Sequence, residues 1–291
     1  MISEIINKRR RVIPKIREIC RDGLHGFGVP ISKNGYSIRS LKNRYRDQRA
    51  FVLGNGPSLT VQDLTLLKDE ITFASNKVYL AFDQTEWRPS FYFVFDKLVA
   101  LNNAAVIREL PLTKLFSNEV RPWLGSDPDA IWLHETYENG VWLDQERDGV
   151  ELTGGHFSTN ALLRVSSGWT VIYAQLQLAH YMGFREIVLL GLDFSFNVDT
   201  KKVETKEKGY EVALESRGER NHFHPDYRKP GEVWAIPRLD MQERAFRLAK
   251  AAFEESGRVV VNASRQSKLD VFPRTTLEAV LNSKTLTGNL T

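Results

Sequence analysis

The chain has 291 residues, of which 42% are hydrophobic and 26% charged, an ordinary composition for a globular protein and enough length for one large α/β domain. Its single cysteine, Cys20, excludes an internal disulfide and a cysteine-rich zinc site. No apolar run is long enough to span a bilayer, and the N-terminus lacks the apolar core of a secretory signal. We therefore expect a cytoplasmic protein.

The net charge of +4 is concentrated at the N-terminus. Residues 1–50 carry 13 Lys or Arg against 4 Asp or Glu, whereas the other 241 residues carry 27 against 32. An acidic body argues against a nucleic-acid-binding core. The basic pattern of residues 2–22 predicts a helix that could lie on an anionic membrane surface or bind a partner, with a solvated tail as the alternative.

We assign residues 1–47 to a basic helical arm and linker. Glycine and serine at 23–36 predict the linker, and the basic run at 40–47 predicts a short helix. Residues 48–285 then alternate apolar runs with helical patterns. This alternation predicts a single Rossmann-like α/β domain, in which helices cover both faces of a parallel sheet.

The first apolar run of that domain ends in Gly54-Asn55-Gly56-Pro57-Ser58. Gly54 and Gly56 permit close approach of a ligand to the backbone, and Pro57 suits the first turn of a helix. The Ser58 hydroxyl and the unpaired N–H groups of a helix start favour an anion, most naturally a phosphate. An ordinary strand-to-helix turn is the alternative.

Polar residues follow the other predicted strands at the point where each strand ends. Asn76 follows 71–75, Asp96 follows 91–95, and Asp193 and Ser195 follow the strand at 186–190. Because parallel strands end at one edge of the sheet, we expect these side chains to share a ligand site. Asp96 and Asp193 could hold Mg²⁺ against a diphosphate, or could cap helices or bind a ribose hydroxyl. No other cofactor is expected, since both the dinucleotide and the P-loop glycine motifs are absent.

A second strand-to-helix junction contains Arg164, Ser166, Ser167 and Gly168, directly before a predicted helix at 169–182. The two serines and the glycine predict another anion site at a helix start. Arg164 could neutralise a phosphate or a substrate carboxylate, with a surface ion pair as the alternative. Residues 120–155 are irregular and rich in tryptophan, and we interpret them as an inserted segment or an edge segment of the sheet.

Residues 197–232 are polar and predict a lid that closes over substrate. The lid contains His222 and His224, followed by Tyr227, Arg228 and Lys229. A histidine near its ordinary pKa can remove a hydroxyl proton at neutral pH, so either one could be a general base. Backbone-bonded loop histidines and, less favoured, a metal site are the alternatives.

Six segments together resemble one superfamily in the same order along the chain. They resemble the bacterial sialyltransferases that build host-mimicking lipooligosaccharides, and equally the bacterial proteins likened to archaeal hydroxymethylpterin diphosphokinase, a group that includes flagellin glycosylation factors. The segments are Gly54 to Leu59, Asn76, Arg164 to Gly168, Gly183 to Ile187, Gly191 to Phe194, and the His222/His224 loop.

The resemblance implies a role for each matching residue. Asn55 and Ser58 would bind the phosphate and ribose of an activated sugar donor, and Asn76 would contact the nucleotide or phosphate. Arg164 and Ser167 would hold the sugar. The implied partners of the protein are this donor and a glycan or lipid-linked acceptor; a homo-oligomer is also compatible.

The chain departs from the sialyltransferase pattern at two positions. Those enzymes carry Asn where this chain has Asp96, and Tyr where it has Ser195. A divalent cation could replace the lost groups, and phosphoribosyl diphosphate would fit as well as a cytidine-monophosphate sugar. The leading interpretation is a glycosyltransferase of surface-polysaccharide synthesis, in the cytoplasm or at the inner face of the membrane. A Mg-dependent diphosphokinase and a non-catalytic nucleotide-sugar-binding subunit are the alternatives.

Overall fold

The structure is a computed structural model that describes residues 19–125, 127–136, 156–197, 201–203, 213–218 and 220–283. Most of the predicted basic helix at 2–22 lies outside these residues, as do residues 137–155 of the predicted insertion and parts of the predicted lid. Among the described residues, no helix combines the length and apolar composition needed to cross a bilayer.

Seven parallel strands form the central sheet, which confirms the Rossmann-like α/β prediction. Their order is β12-β8-β1-β2-β3-β4-β5. The strands are β1 (Arg49–Leu53), β2 (Thr72–Ser75), β3 (Phe91–Val94), β4 (Lys114–Ser117), β5 (Ile131–Leu133), β8 (Glu186–Leu190) and β12 (Val259–Asn262). The chain runs outward from β1 to β5 and later returns to the other side of β1, so the strand order reverses between β1 and β8. Ligands of open parallel sheets bind at such a reversal, beyond the carboxyl ends of the strands.

Helices cover both faces of the sheet because the strands are apolar on both sides. Along β1, Ala50 and Val52 face one apolar cluster, and Phe51 and Leu53 face the other. The helices are α1 (Lys33–Leu41), α2 (Val61–Leu66), α3 (Lys97–Glu109), α4 (Arg121–Leu124), α5 (Val171–Met182), α6 (Leu239–Glu255) and α7 (Leu277–Asn282). Helices α1, α5 and α6 pack on the first cluster, and α2, α3 and α7 pack on the second.

The N-terminal segment differs from the prediction. Residues 19–26 are helical, and α1 begins at Lys33 inside the predicted linker, where the Ser32 hydroxyl accepts a hydrogen bond from Gly35 N–H. The predicted basic helix at 40–47 is wrong, because α1 ends at Leu41. Asn43 and Asp47 adopt positive φ angles of 56° and 63°, which a right-handed helix cannot contain.

The segment predicted to be an insertion or an edge contains the edge strand of the sheet. Strand β5 pairs with β4 and forms the sheet edge. Immediately after it, β6 (Glu135–Thr136) pairs in parallel with β7 (Val165–Ser166), so the chain around Arg164 returns beside β5. The predicted polar loop at 197–232 likewise contains regular structure. Its strands β9 (Lys201–Val203) and β10 (Ala213–Glu215) form a three-stranded antiparallel sheet with β11 (Val233–Ala235), which follows the loop.

Candidate active site

The loops after β1 and β8 pack directly against each other at the strand-order reversal. Gly54 N–H donates to Leu190 C=O and Gly56 N–H donates to Gly191 C=O, each at 2.8 Å. A Cβ atom on Gly54 would lie 2.3 Å from the carbonyl oxygen of Gly191. The contact between the two loops therefore already requires glycine at position 54, whatever ligand approaches it.

Asp193 occupies the position in which a phosphate was predicted. Its Oδ2 accepts a hydrogen bond from Ser58 N–H at 2.8 Å. A Cβ atom on Gly56 would lie 2.3 Å from the same oxygen. An internal carboxylate thus takes up one of the backbone donors that the sequence assigned to an anionic ligand.

The helix after this loop begins at Val61, two residues later than the predicted start at Leu59. Thr60 and Asp63 form a capping box, in which each side chain accepts from the other residue's backbone N–H. Arg265 holds the buried Asp63 carboxylate with hydrogen bonds of 2.6 and 2.7 Å. Burial raises the pKa of Asp63, but the hydrogen bonds from Arg265 and Thr60 outweigh it and hold the pKa below its ordinary value.

Four buried polar atoms without a hydrogen-bond partner lie in the segments that directly follow β8, β1 and β2. They belong to the loops predicted to bind the donor. They are Asn55 Oδ1, Ser58 Oγ, Asn76 Oδ1 and Asp193 Oδ1. Because a buried polar group without a partner costs about 1–3 kcal/mol, such a cluster is typical of a site that a ligand completes. Ser195 is half-buried at the end of the Asp193 loop.

The loop that contains the two histidines covers this cluster. Phe223 N–H donates to the carbonyl oxygen of Asn55 at 3.0 Å, and the side chains of Asn76 and Tyr227 are hydrogen-bonded. Lys77 Nζ donates to Tyr227 C=O at 2.7 Å and to Glu232 Oε1 at 2.5 Å. The lid is therefore anchored at the ends of β1 and β2, and Lys77, which the sequence interpretation missed, is its main anchor.

His222 and His224 have different environments. The His222 ring stacks on Tyr227 with centroids 3.8 Å apart and planes 6° apart. Burial, together with the positive charges of Arg228 and Lys77, holds the pKa of His222 well below 6.5, so its ring is neutral at pH 7. His224 Nδ1 accepts a hydrogen bond from Asp226 N–H at 3.1 Å and caps the 3-10 helix Pro225–Tyr227. A neutral His224 consequently carries its proton on Nε2.

The other lid residues are structural in this conformation. Tyr227 is buried, and Arg228 lies over the Trp234 ring with its guanidinium carbon 3.9 Å from the ring centroid. Lys229 has an exposed side chain, and its backbone N–H donates to Glu232.

The junction before α5 does not form the predicted helix-start anion site. Ser166 belongs to β7, and Gln177 holds its backbone N–H and C=O at 2.9 and 2.8 Å. A Cβ atom on Gly168, whose φ is +55°, would lie 2.2 Å from the Tyr173 ring. Thr170 caps the helix instead. Arg164 lies half-buried directly before β7.

Glu135 is a buried carboxyl group that the sequence interpretation missed. It begins β6 at the carboxyl end of β5, and its side chain is hydrogen-bonded to Ser117 and Ser167. Burial raises its pKa to about 7. The signal was available: Ile-Trp-Leu at 131–133 is an apolar run followed by polar residues, the same pattern used for the other strand ends.

The two carboxylates proposed for Mg²⁺ lie at the ends of different strands. Asp96 caps α3, with Oδ1 accepting from Leu98 and Val99 N–H at 2.8 and 3.2 Å. Strand β3 is three positions from β8 in the sheet, about 14 Å at the usual strand spacing. Asp96 thus has the helix-capping role that was its alternative, and the described residues contain no group of three or more side chains that could hold a metal ion.

Comparison with known families and structures gives one sequence match and several similar folds. Residues 30–199 match the family model described as "6-hydroxymethylpterin diphosphokinase MptE-like". No curated protein matches the chain.

Two of the similar solved structures are glycosyltransferases. The MAf glycosyltransferase from Magnetospirillum magneticum AMB-1 has a TM-score of 0.43 at 15% identity; the similarity covers 85% of this chain and 39% of that one. The sialyltransferase CstII from Campylobacter jejuni, in complex with cytidine-5'-monophosphate, has a TM-score of 0.42 at 14% identity. The similarity covers 83% of this chain and 89% of that one.

Proposed function

Because the chain belongs to the MptE-like family, we propose that it is a transferase for a phosphate-activated substrate, and specifically a glycosyltransferase of bacterial surface-polysaccharide synthesis. It moves a sugar from a cytidine-monophosphate-type donor or phosphoribosyl diphosphate to a hydroxyl of a glycan or lipid-linked acceptor. The observation that carries this proposal is the group of four unpartnered polar atoms beneath the histidine loop.

The chemistry of those atoms matches the donor. Asn55 Oδ1 and Asp193 Oδ1 are acceptors and suit the hydroxyl groups of a ribose. The Ser58 hydroxyl can donate a hydrogen bond to a phosphate. The negative charge of Asp193 would repel a phosphate from the Asp193 Oδ1 atom. The donor would therefore lie with its ribose towards β8 and its phosphate over the β1 and β2 loops.

His222 is the proposed general base. Its ring is neutral at pH 7, and neither ring nitrogen is hydrogen-bonded to another described residue, whereas His224 Nδ1 is engaged by Asp226. His222 would take the proton of the acceptor hydroxyl while the acceptor oxygen attacks the anomeric carbon. The bond from that carbon to the phosphate oxygen breaks, and the phosphate leaves with the electron pair.

A diphosphokinase acting on a pterin-like alcohol is the second candidate, favoured by the description of the family. It would use Mg²⁺ to transfer diphosphate from ATP. A binding subunit without catalytic activity is the third.

The first experiment is donor breakdown followed by phosphorus NMR. The protein is incubated with cytidine-monophosphate sugars, uridine-diphosphate sugars, phosphoribosyl diphosphate, or ATP with a pterin alcohol, each with Mg²⁺ and with chelator. We expect slow hydrolysis of one sugar donor in both conditions. Turnover of ATP alone, abolished by chelator, would establish the diphosphokinase instead.

Substitution of the histidines then separates an enzyme from a binding protein. We expect His222→Gln to lower donor turnover by about 10²–10⁴ and to retain donor binding by calorimetry. His156→Gln, at an exposed histidine, is the matched control. Equal turnover in His222→Gln and the control would exclude His222 as the base.

A further inference from the structure

The exposed apolar side chains of this protein are concentrated in one segment. Nine large hydrophobic side chains are exposed among the described residues, and six of them lie between residues 19 and 36. Phe27 is 91% exposed, Ile19 71% and Tyr36 64%; Leu24, Val29 and Ile31 complete the set. Exposed apolar groups scattered singly need no explanation, but six within eighteen consecutive residues mark a surface that binds something.

The same region is predominantly basic, with Asp22 as the one acidic residue between positions 19 and 46. Residues 23–46 contain Lys33, Arg39, Lys42, Arg44 and Arg46 and no Asp or Glu. All five of these side chains are exposed. A partner for this surface must therefore combine an apolar phase with negative charge.

The apolar segment is held rigidly on the domain. The carbonyl oxygen of His25 accepts a hydrogen bond from the Asn160 side chain at 2.9 Å. The Asn34 side chain bonds both the N–H and the C=O of Trp132, at 2.7 and 2.8 Å. The second of these attachments is on β5, the edge strand of the sheet. Between them, no atom lies within 4 Å of the Cβ positions of Gly26 and Gly28, so the loop that carries Phe27 projects from the body.

We propose that residues 19–46, here called the basic apolar surface, dock the protein on a bilayer that contains anionic phospholipids. Phe27, Val29 and Ile31 would enter the interface between head groups and acyl chains, while the cations lie against lipid phosphates. A loop that projects from the body can insert its side chains into the head-group region of a bilayer, because that region has no fixed binding pockets that the side chains must match. Each cation near an anionic surface contributes about 1 kcal/mol.

Vesicle co-sedimentation of the full chain tests the proposal. The vesicles contain equal parts of phosphatidylglycerol and phosphatidylcholine, or phosphatidylcholine alone. We expect binding to the anionic vesicles that weakens as salt is raised. We expect Phe27→Ser with Ile31→Ser to weaken it by about tenfold or more, because two large side chains lose their burial. Lys42→Ser with Arg44→Ser should weaken it on the anionic vesicles alone.

The matched control is Leu101→Ser, at an exposed leucine of α3 that is 45% exposed; it should bind as the wild type does. Equal binding to both vesicle types, or unchanged binding after the Phe27/Ile31 change, would overturn the proposal. A dimer in light scattering that the same change dissociates, without vesicle binding, would identify a second copy of the chain as the occupant and would also overturn it. The assay needs no turnover, so its result is independent of the proposed reaction.

Discussion

The Asp193 carboxylate accepts a hydrogen bond from the Ser58 backbone N–H at 2.8 Å, which joins two loops 135 residues apart in sequence. Asp193 Oδ1 and the Ser58 hydroxyl both remain without a hydrogen-bond partner. One carboxylate thus shapes the glycine loop and supplies an acceptor to the candidate site. The fit leaves no room for a side chain on Gly56.

Gly56→Ala is therefore expected to destabilise the protein by about 1–3 kcal/mol. The added methyl group would lie 2.3 Å from Asp193 Oδ2 and 2.7 Å from the Gly191 carbonyl oxygen, and the latter is backbone that cannot easily move. Urea unfolding measures the loss. Gly23→Ala is the matched control, since no atom lies within 4 Å of its Cβ position. Equal free energies of unfolding of the two variants would show that the loops after β1 and β8 can move apart without loss of stability.

Lys77→Met is expected to lower the free energy of unfolding by about 3 kcal/mol, because it leaves Glu232 partly buried without its cation. The Lys77 and Glu232 side chains are only 7% and 18% exposed. Lys68→Met breaks the exposed pair with Glu86 and is the control, with little change expected. The loss should be accompanied by faster proteolysis within residues 220–232. A loss no larger than that of the control would mean that the ion pair does not anchor the lid.

The sequence predicted the parallel sheet well, because buried parallel strands are continuous apolar runs that need no tertiary information. Strand β8 has the predicted bounds, Glu186–Leu190. Two helix starts were predicted two residues too early, at Leu59 and at Trp169. In both cases a threonine with a side chain able to cap lies further along, at Thr60 and Thr170. Both helix starts would have been predicted correctly if the threonine hydroxyl had been taken as the stronger signal for a helix start than the preceding proline or glycine.

The composition of the candidate site was harder to predict, because it depends on which distant groups meet. The polar strand ends correctly indicated one edge of the sheet. They did not reveal that Asp193 would accept a hydrogen bond from Ser58 N–H. They also did not reveal that Lys77 would form an ion pair with Glu232 and so be unavailable to a phosphate. Glu135 was missed although an apolar run precedes it, because β5 has only three residues and so short a run was not interpreted as a strand.

Glu135→Gln is expected to reduce the pH dependence of stability. Burial raises the pKa of Glu135 from 4.5 to about 7, so the folded state binds the proton more tightly than the unfolded state within that window. The wild type therefore loses stability as pH rises from 4.5 and reaches its lower level above about 7. When the pH is raised from 5 to 8, the free energy of unfolding of the wild type should fall by about 2–3 kcal/mol more than that of Glu135→Gln.

Urea unfolding at both pH values measures this difference, with Glu109→Gln, at an exposed carboxylate, as the control. A difference between wild type and Glu135→Gln that is the same at pH 5 and pH 8 would show that Glu135 is ionised throughout the range.

The pH profile of donor turnover should identify the general base. The pKa of His222 is held well below 6.5, so the neutral, proton-accepting ring is present throughout pH 7 to 8 and is lost only as pH falls through that lowered value. We expect kcat/KM to be constant above pH 7 and to decline on the acid side below 6.5. His222→Gln should lower kcat by about 10²–10⁴ and remove this decline, while His224→Gln should retain it. Glu135, with its pKa near 7, provides the contrast: an acid limb near pH 7 that disappears in Glu135→Gln and persists in His222→Gln would assign the titrating group to Glu135 instead.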